Sequence, residues 1–215
     1  MNNKKSHPNN DLADFDFAKR ASAYDEGFEG KASRRFYDLL LREVALSPGM
    51  AILDAGCGTG ALLESLSEEC EVDCHGIDAE KNMVAVAKAK HPAMDFSLAR
   101  CDDTPFADKS FDAIIACMAY HHFDDRKGFA RESARLLVPG GLLYIADPRF
   151  PLPARKALNG VLRLARVVGE FNTPDEIAAE FSPFGFSCAG HAFDGYAQVV
   201  KLRLDGNAGA GREDA

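Results

Sequence analysis

From residue 50 to residue 146 the chain alternates two apolar patterns. Short, nearly unbroken runs such as 111–118 are separated by longer stretches in which apolar residues recur every three or four positions. The first pattern fits strands covered on both faces, and the second fits amphipathic helices packed against them. The rhythm predicts strands at 51–54, 72–77, 95–99, 111–118 and 142–146, with helices at 61–69, 80–89 and 126–137. Pro92 restarts the chain before the third strand, and Pro139-Gly140-Gly141 closes the helix before the fifth. Alternation of this kind makes an α/β protein whose parallel sheet has helices on both faces.

The flanks add to this. Residues 11–45 carry acidic, aromatic and aliphatic positions at helical spacing with a break at Gly27 and Gly30, predicting two helices ahead of the sheet. Thr173-Pro174-Asp175-Glu176 offers a capping hydroxyl, a proline at the first helical position and acids in the first turn, so a helix runs from there to about Phe181. Runs at 186–193 and 196–204 surround Asp194-Gly195, a hairpin signal that ends the sheet in an antiparallel pair. Residues 11–204 are read as one domain, with 1–10 and 205–215 as disordered ends.

Composition narrows the function classes. A formal charge of −8 over 215 residues gives no general basic face for nucleic acid. No apolar run reaches the roughly 18 residues of a membrane span, and the polar start lacks a signal-peptide core, so a cytoplasmic protein without stable membrane insertion is expected. It is expected to be a monomer or homodimer. The six cysteines follow no disulfide rhythm and are read as reduced thiols. Cys70, Cys74 and His75 lack a second ligand pair, so no metal is expected.

The chemistry is concentrated where the first strand ends. Residues 52–60 read Ile-Leu-Asp-Ala-Gly-Cys-Gly-Thr-Gly, a strand running into Gly56, Gly58 and Gly60 ahead of a helix. Such a loop lets backbone approach a nucleotide-like ligand closely. Gly56, Gly58 and Ala61 also satisfy a dinucleotide pattern, but Asp54 would set a carboxylate beside the pyrophosphate anion. It suits instead the sulfonium and ammonium of S-adenosyl-L-methionine. Asp78, at the end of the second strand, is placed to accept from ribose hydroxyls.

Taken together, these motifs resemble the class I S-adenosylmethionine-dependent methyltransferases over residues 15–204. Residues 52–60 match the family's first motif and Gly76-Ile77-Asp78 its acidic strand end. Thr104-Pro105-Phe106 through Phe111-Asp112 and residues 136–147 match two later motifs, and Phe17, Arg20, Ala21, Tyr24 and Asp25 resemble the start of the ubiquinone and menaquinone biosynthesis subgroup. The resemblance implies a three-layer, Rossmann-like fold with a seven-stranded sheet in the order 3-2-1-4-5-7-6 and strand 7 antiparallel. It also implies cofactor contacts from Asp54, Gly56, Cys57, Gly58, Gly60, Asp78 and Met118, an N-terminal helical cap at 11–46 and a substrate lid at 149–172. The family's usual adenine-binding Asp is replaced by Arg100, which cannot accept a hydrogen bond. The Cys101 backbone N–H and the Asp102 carboxylate are expected to serve the adenine instead.

For the reaction itself, Tyr120-His121-His122 follow the central strand, and His121 is the candidate base, suited by its pKa to neutral pH. Tyr24 and Tyr120 are candidates for the mouth of the site. Residues 149–169 hold five basic residues and no acid, and a helical projection places Arg155, Lys156, Arg163 and Arg166 on one arc opposite Leu158, Val161 and Leu162. With Arg163 and Arg166 on a lid, an anionic or amphipathic small-molecule substrate is expected; contact with a membrane surface and a merely solvated face are the other readings of this helix. Two other functions stay open: a nicotinamide-dependent oxidoreductase, and a binding module that has lost its chemistry.

Overall fold

The computed structural model describes residues 28–165 and 169–206. Successive residues of its central strands are buried on opposite faces of one sheet. In β1 (Ala51–Ala55) Ile52 joins one core and Leu53 the other; in β4 (Phe111–Cys117) Ala113, Ile115 and Cys117 face the first core, and Ile114 and Ala116 the second. The first core is closed by α1 (Phe28–Glu43), α2 (Ala61–Glu69) and α3 (Lys81–Lys90), through Phe36, Leu40, Leu63, Leu66 and Ala87. The second is closed by α4 (Arg126–Leu136) and α6 (Pro174–Phe181), through Phe129, Ala130, Ile177 and Phe181. This is a three-layer α/β/α arrangement, and its two-sided burial explains why the central strands read as continuous apolar runs.

The remaining strands are β2 (Asp73–Asp78), β3 (Asp95–Leu98), β5 (Leu137–Pro148), β6 (Phe186–Asp194) and β7 (Ala197–Leu204). The sheet order is β3-β2-β1-β4-β5-β7-β6, with β7 antiparallel to both neighbours and the other pairs parallel. β1 lies between β2 and β4, so the strand order reverses there and a crevice opens at the carboxyl ends of β1 and β4.

The elements differ from the sequence expectation in informative ways. β5 is much longer than 142–146, because Leu137 already pairs with Phe111 and the ladder resumes at Leu142 opposite Ala113. The intervening Val138 to Gly141 bulge out, with Gly140 at φ 83°, so Pro-Gly-Gly interrupts a strand here and does not precede it. One of the two expected N-terminal helices is α1; the other lies outside the described residues. The helix signal at Thr173 is matched by a full capping box, with the Thr173 hydroxyl accepting from the Glu176 N–H at 3.3 Å and Glu176 Oε2 from the Thr173 N–H at 2.8 Å.

In the insert, α5 (Leu152–Leu164) forms where an amphipathic helix was expected, but contributes no residue to either core. Arg155 leaves the expected basic arc. It is buried, donating to both Glu176 oxygens (NH2 to Oε1 at 3.0 Å) and to the Phe171 carbonyl, because Glu176 and the 170–172 segment lie beneath it.

Candidate active site

The loop leaving β1 is shaped by three left-handed glycines at φ 84°, 53° and 84°. Their surroundings give them different roles. A Cβ on Gly56 would come within 2.6 Å of the Ala119 Cβ, and one on Gly60 within 2.8 Å of the Phe96 ring. Gly56 therefore admits the loop after β4, and Gly60 admits the β3 phenyl while starting α2. Gly58 faces open space, so it alone of the three keeps a clear approach to the backbone. The Gly56 and Cys57 N–H groups both donate to the Ile77 carbonyl, at 2.8 and 2.9 Å, which holds the loop against the end of β2.

Two carboxylates frame this loop. Asp54 is buried at the end of β1, and its Oδ1 has no hydrogen-bond partner. Burial, with the charge of Asp78 adding to it, pushes its pKa up to about 8. Asp78 Oδ2 accepts from the Gly58 N–H at 2.9 Å and Oδ1 from the Glu80 N–H at 2.8 Å; burial raises its pKa against those two bonds. Each oxygen keeps acceptor capacity. Cys57 is buried below the loop, where desolvation followed by Asp54 and Asp78 holds its thiol protonated.

The next strand end carries a strained residue and a buried dyad. Met118 adopts φ 55°, rare for a residue with a side chain, and its N–H donates to the Ala146 carbonyl at 2.8 Å. A single 3-10 turn (Tyr120–His122) follows. His121 is buried in that turn, its Nδ1 is 2.8 Å from Asp147 Oδ1 at the end of β5, and its ring stacks on Phe171 with centroids 5.0 Å apart. Tyr120 does not line the mouth. It is 1% exposed, packs among Phe123, Phe129 and Phe181, and donates to Glu180 at 2.6 Å, because the 3-10 turn directs its ring into the second core.

On the far side of β2, Arg100 Nε donates to Asp102 Oδ1 at 2.9 Å. The residue that displaced the usual acid thus engages the carboxylate expected to replace it. Asp102 also packs over α4, since a Cβ on Gly128 would lie 2.8 Å from its own. A cavity of about 480 Å³ lies here, lined by Ala79, Leu98, Ala99, Arg100, Asp103, Thr104 and Pro105. Cys101 beside it is half-buried, its thiol raised to about 12 by desolvation first and Asp102 second.

A second cavity, about 760 Å³, is lined by His121, Phe123, Asp124, Asp125, Arg126, Lys127, Glu170 and Glu180 together with Asn159 and Arg163 of α5, so it carries charges of both signs. Arg163 and His121 thus line one cavity although 42 residues separate them in sequence. Tyr24 and Arg166 lie outside the described residues.

The comparisons with known proteins agree with this geometry. Residues 53–145 match the family model described as a methyltransferase domain. A demethylmenaquinone methyltransferase of Chlorobaculum parvum is 32% identical over 136 residues, 63% of this chain and 54% of the relative. An O-methyltransferase of Pyrenophora dematioidea is 34% identical over 122 residues, 54% of this chain and 46% of that protein. The aligned part of the chain spans about half the length of these relatives. Among solved structures, a methyltransferase in complex with the Haloferax volcanii Trm112 activator superposes with a TM-score of 0.77 at 20% identity, over 88% of this chain and 98% of that one.

Residues 53–145 thus match a methyltransferase domain, and they sit on a sheet whose order is the one implied by the resemblance to class I S-adenosylmethionine-dependent methyltransferases. Within this methyltransferase fold, the structure adds site candidates that the sequence reading did not single out. Asp147 is the foremost, and its signal was present: it is an acid directly at the end of the strand that neighbours β4. Ala119, which meets Gly56, and Phe171, which backs His121, had no comparable signal, since each matters only through a contact distant in sequence.

Proposed function

We propose that this chain transfers a methyl group from S-adenosyl-L-methionine to an oxygen of a small organic molecule, with His121 as general base. The observation that carries the cofactor reading is the orphaned, buried Asp54 Oδ1 beside the open backbone of Gly58. A buried carboxyl without a partner is costly, and a cationic ligand group removes that cost. Asp54 would hold the cationic methionine end, Gly58 the adjacent backbone approach, and Asp78 the ribose hydroxyls through its remaining lone pairs. Met118, Cys101 and Asp102 would complete the contacts. A nicotinamide dinucleotide suits the site less, since its pyrophosphate would meet the same buried carboxyl. The bound cofactor supplies a methyl group on positively charged sulfur.

The remaining chemistry belongs to the chain. Nδ1–H of His121 donates to Asp147, which fixes the tautomer and leaves Nε2 as the proton acceptor. A hydroxyl in the 760 Å³ cavity gives its proton to Nε2 as its oxygen attacks, and Asp147 stabilises the imidazolium that results. A positioned base of this kind contributes about 10²–10⁴ in rate. The similarity to quinone and O-methyltransferases supports a small hydroxyl-bearing acceptor, and Arg163 on the cavity wall supports one that is anionic or amphipathic.

The test incubates the full chain with methyl-labelled cofactor and a panel of phenols and hydroxyquinones. Transfer to at least one is expected, with His121→Asn lowering kcat about 100-fold while calorimetric affinity for S-adenosylhomocysteine is unchanged. Asp147→Asn, acting through the histidine, should lower kcat and alter its pH profile without moving that affinity. Failure of the folded wild-type protein to bind S-adenosylhomocysteine would overturn the cofactor reading.

A further inference from the structure

Helix α5 presents three faces. Arg155, Leu158, Asn159 and Leu162, spaced i, i+3, i+4, i+7, turn inward, with Arg155 on Glu176 and the Asn159 amide exchanging 3.0 Å bonds with the Phe171 backbone. Ala154, Ala157, Val161 and Leu164, spaced i, i+3, i+7, i+10, form a second stripe pointing away from the protein. Val161 is 61% exposed and Leu164 87%. Lys156 and Arg163 lie together along one side of this stripe. Among the described residues the strongly exposed large apolar side chains are Leu98, Leu152, Val161, Leu164, Phe193 and Tyr196, so all but Leu98 lie on α5 or at the β6–β7 hairpin tip. The two places adjoin: the Arg149 guanidinium, three residues before Leu152, lies 4.1 Å over the Phe193 ring, and the Arg149 backbone N–H donates to the Tyr196 carbonyl.

We propose that the outer face of α5, with the hairpin tip beside it, docks on an anionic lipid surface. The charge pattern selects this occupant. No acid occurs from 149 to 169 in a chain whose net charge is −8, so the basic residues of α5 are a local exception. Acids beside the patch are paired: Glu176 with Arg155, Glu170 with Arg126 at 3.4 Å, and Asp194 at the tip with Arg35 at 2.8 Å and Arg42 at 3.1 Å. An exposed apolar stripe with cations along one side is the pattern of a helix lying in the headgroup layer. Two copies of α5 face to face would bring Lys156 and Arg163 toward their own counterparts, and nothing acidic on the helix would offset that repulsion. Seated this way, the protein faces the lipid with the helix that also walls the His121 cavity. The docking itself does not depend on the reaction proposed above.

Co-sedimentation of the full chain with vesicles tests it. Wild type is expected to bind vesicles of mixed phosphatidylcholine and phosphatidylglycerol but not of phosphatidylcholine alone. Binding should be lost as salt approaches about 1 M, where the Debye length is about 3 Å. Lys156→Gln should weaken binding about fivefold, and the double variant Val161→Asn, Leu164→Asn at least about tenfold. Both should retain the wild-type circular dichroism spectrum, since neither side packs into a core. Absence of binding to the mixed vesicles, or equal binding by the folded double variant, would overturn the proposal. So would a wild-type dimer in sedimentation velocity that becomes monomeric in the double variant and ignores vesicles, which would mark the stripe as a contact between copies.

Discussion

Asp54 is the residue in which fold stability and ligand affinity oppose each other most directly. Its carboxyl has an ordinary pKa of 3.8 and is raised to about 8 in the fold, by desolvation and then by Asp78. An acid whose pKa rises on folding holds a proton in the fold that the unfolded chain has already released, so stability falls as pH increases between these two values. Asp54→Asn removes that slope. It should stabilise the ligand-free protein by about 1–3 kcal/mol at pH 8 and by almost nothing at pH 4, measured as the shift in urea midpoint. The same substitution should abolish binding of S-adenosylmethionine, because an amide cannot balance a cation. Binding by wild type should release close to one proton at pH 6–7, visible as a dependence of calorimetric heat on buffer ionisation enthalpy. An Asp54→Asn protein that binds as well as wild type would remove Asp54 from the site.

At the scale of elements, the glycine loop divides its tasks among positions that look equivalent in sequence. Gly56→Ala forces a Cβ to 2.6 Å from the Ala119 Cβ and should cost about 2–4 kcal/mol in stability. Gly58→Ala adds a Cβ into open space and bears only the left-handed backbone penalty, about 1–2 kcal/mol. Yet Gly58→Ala should lose cofactor affinity by more than its mild destabilisation suggests. Thermal melts set beside calorimetry separate the two, and equal destabilisation by both substitutions would contradict this division. The motif Gly-x-Gly-x-Gly was legible because local backbone geometry dictates glycine; which glycine serves packing was not, because Ala119 arrives from the loop after β4 and Phe96 from β3. The same reason hid the inward turn of Arg155, which shares a face with Leu158 and Leu162 and was projected opposite them, and whose partner, Glu176, sits 21 residues ahead. The Thr173 cap was legible from its local pattern, and the structure adds the reciprocal bond from the Thr173 N–H to Glu176.

At the scale of the molecule, the strand order followed from the family resemblance, and the terminal hairpin was independently readable from alternation around Asp194-Gly195. What the order does physically is bring the ends of β1, β2 and β4 to one crevice, so one ligand would join segments that are otherwise held by separate strands. A ligand that binds only the folded state stabilises it by RT ln(1 + [L]/Kd), about 2.7 kcal/mol at a hundredfold excess over Kd. For a chain of this size each kcal/mol is worth about 2–4 °C, so S-adenosylhomocysteine at that excess should raise Tm by roughly 5–10 °C. Hydrogen exchange should slow most at 54–60, 78–80 and 118–122, the three segments that meet at the crevice. The 152–164 helix should be protected far less by this ligand, since it walls the second cavity and enters neither core. Protection confined to 98–105 would move the ligand to the smaller cavity beside Arg100 and leave the Asp54 carboxyl without the cation that its burial calls for.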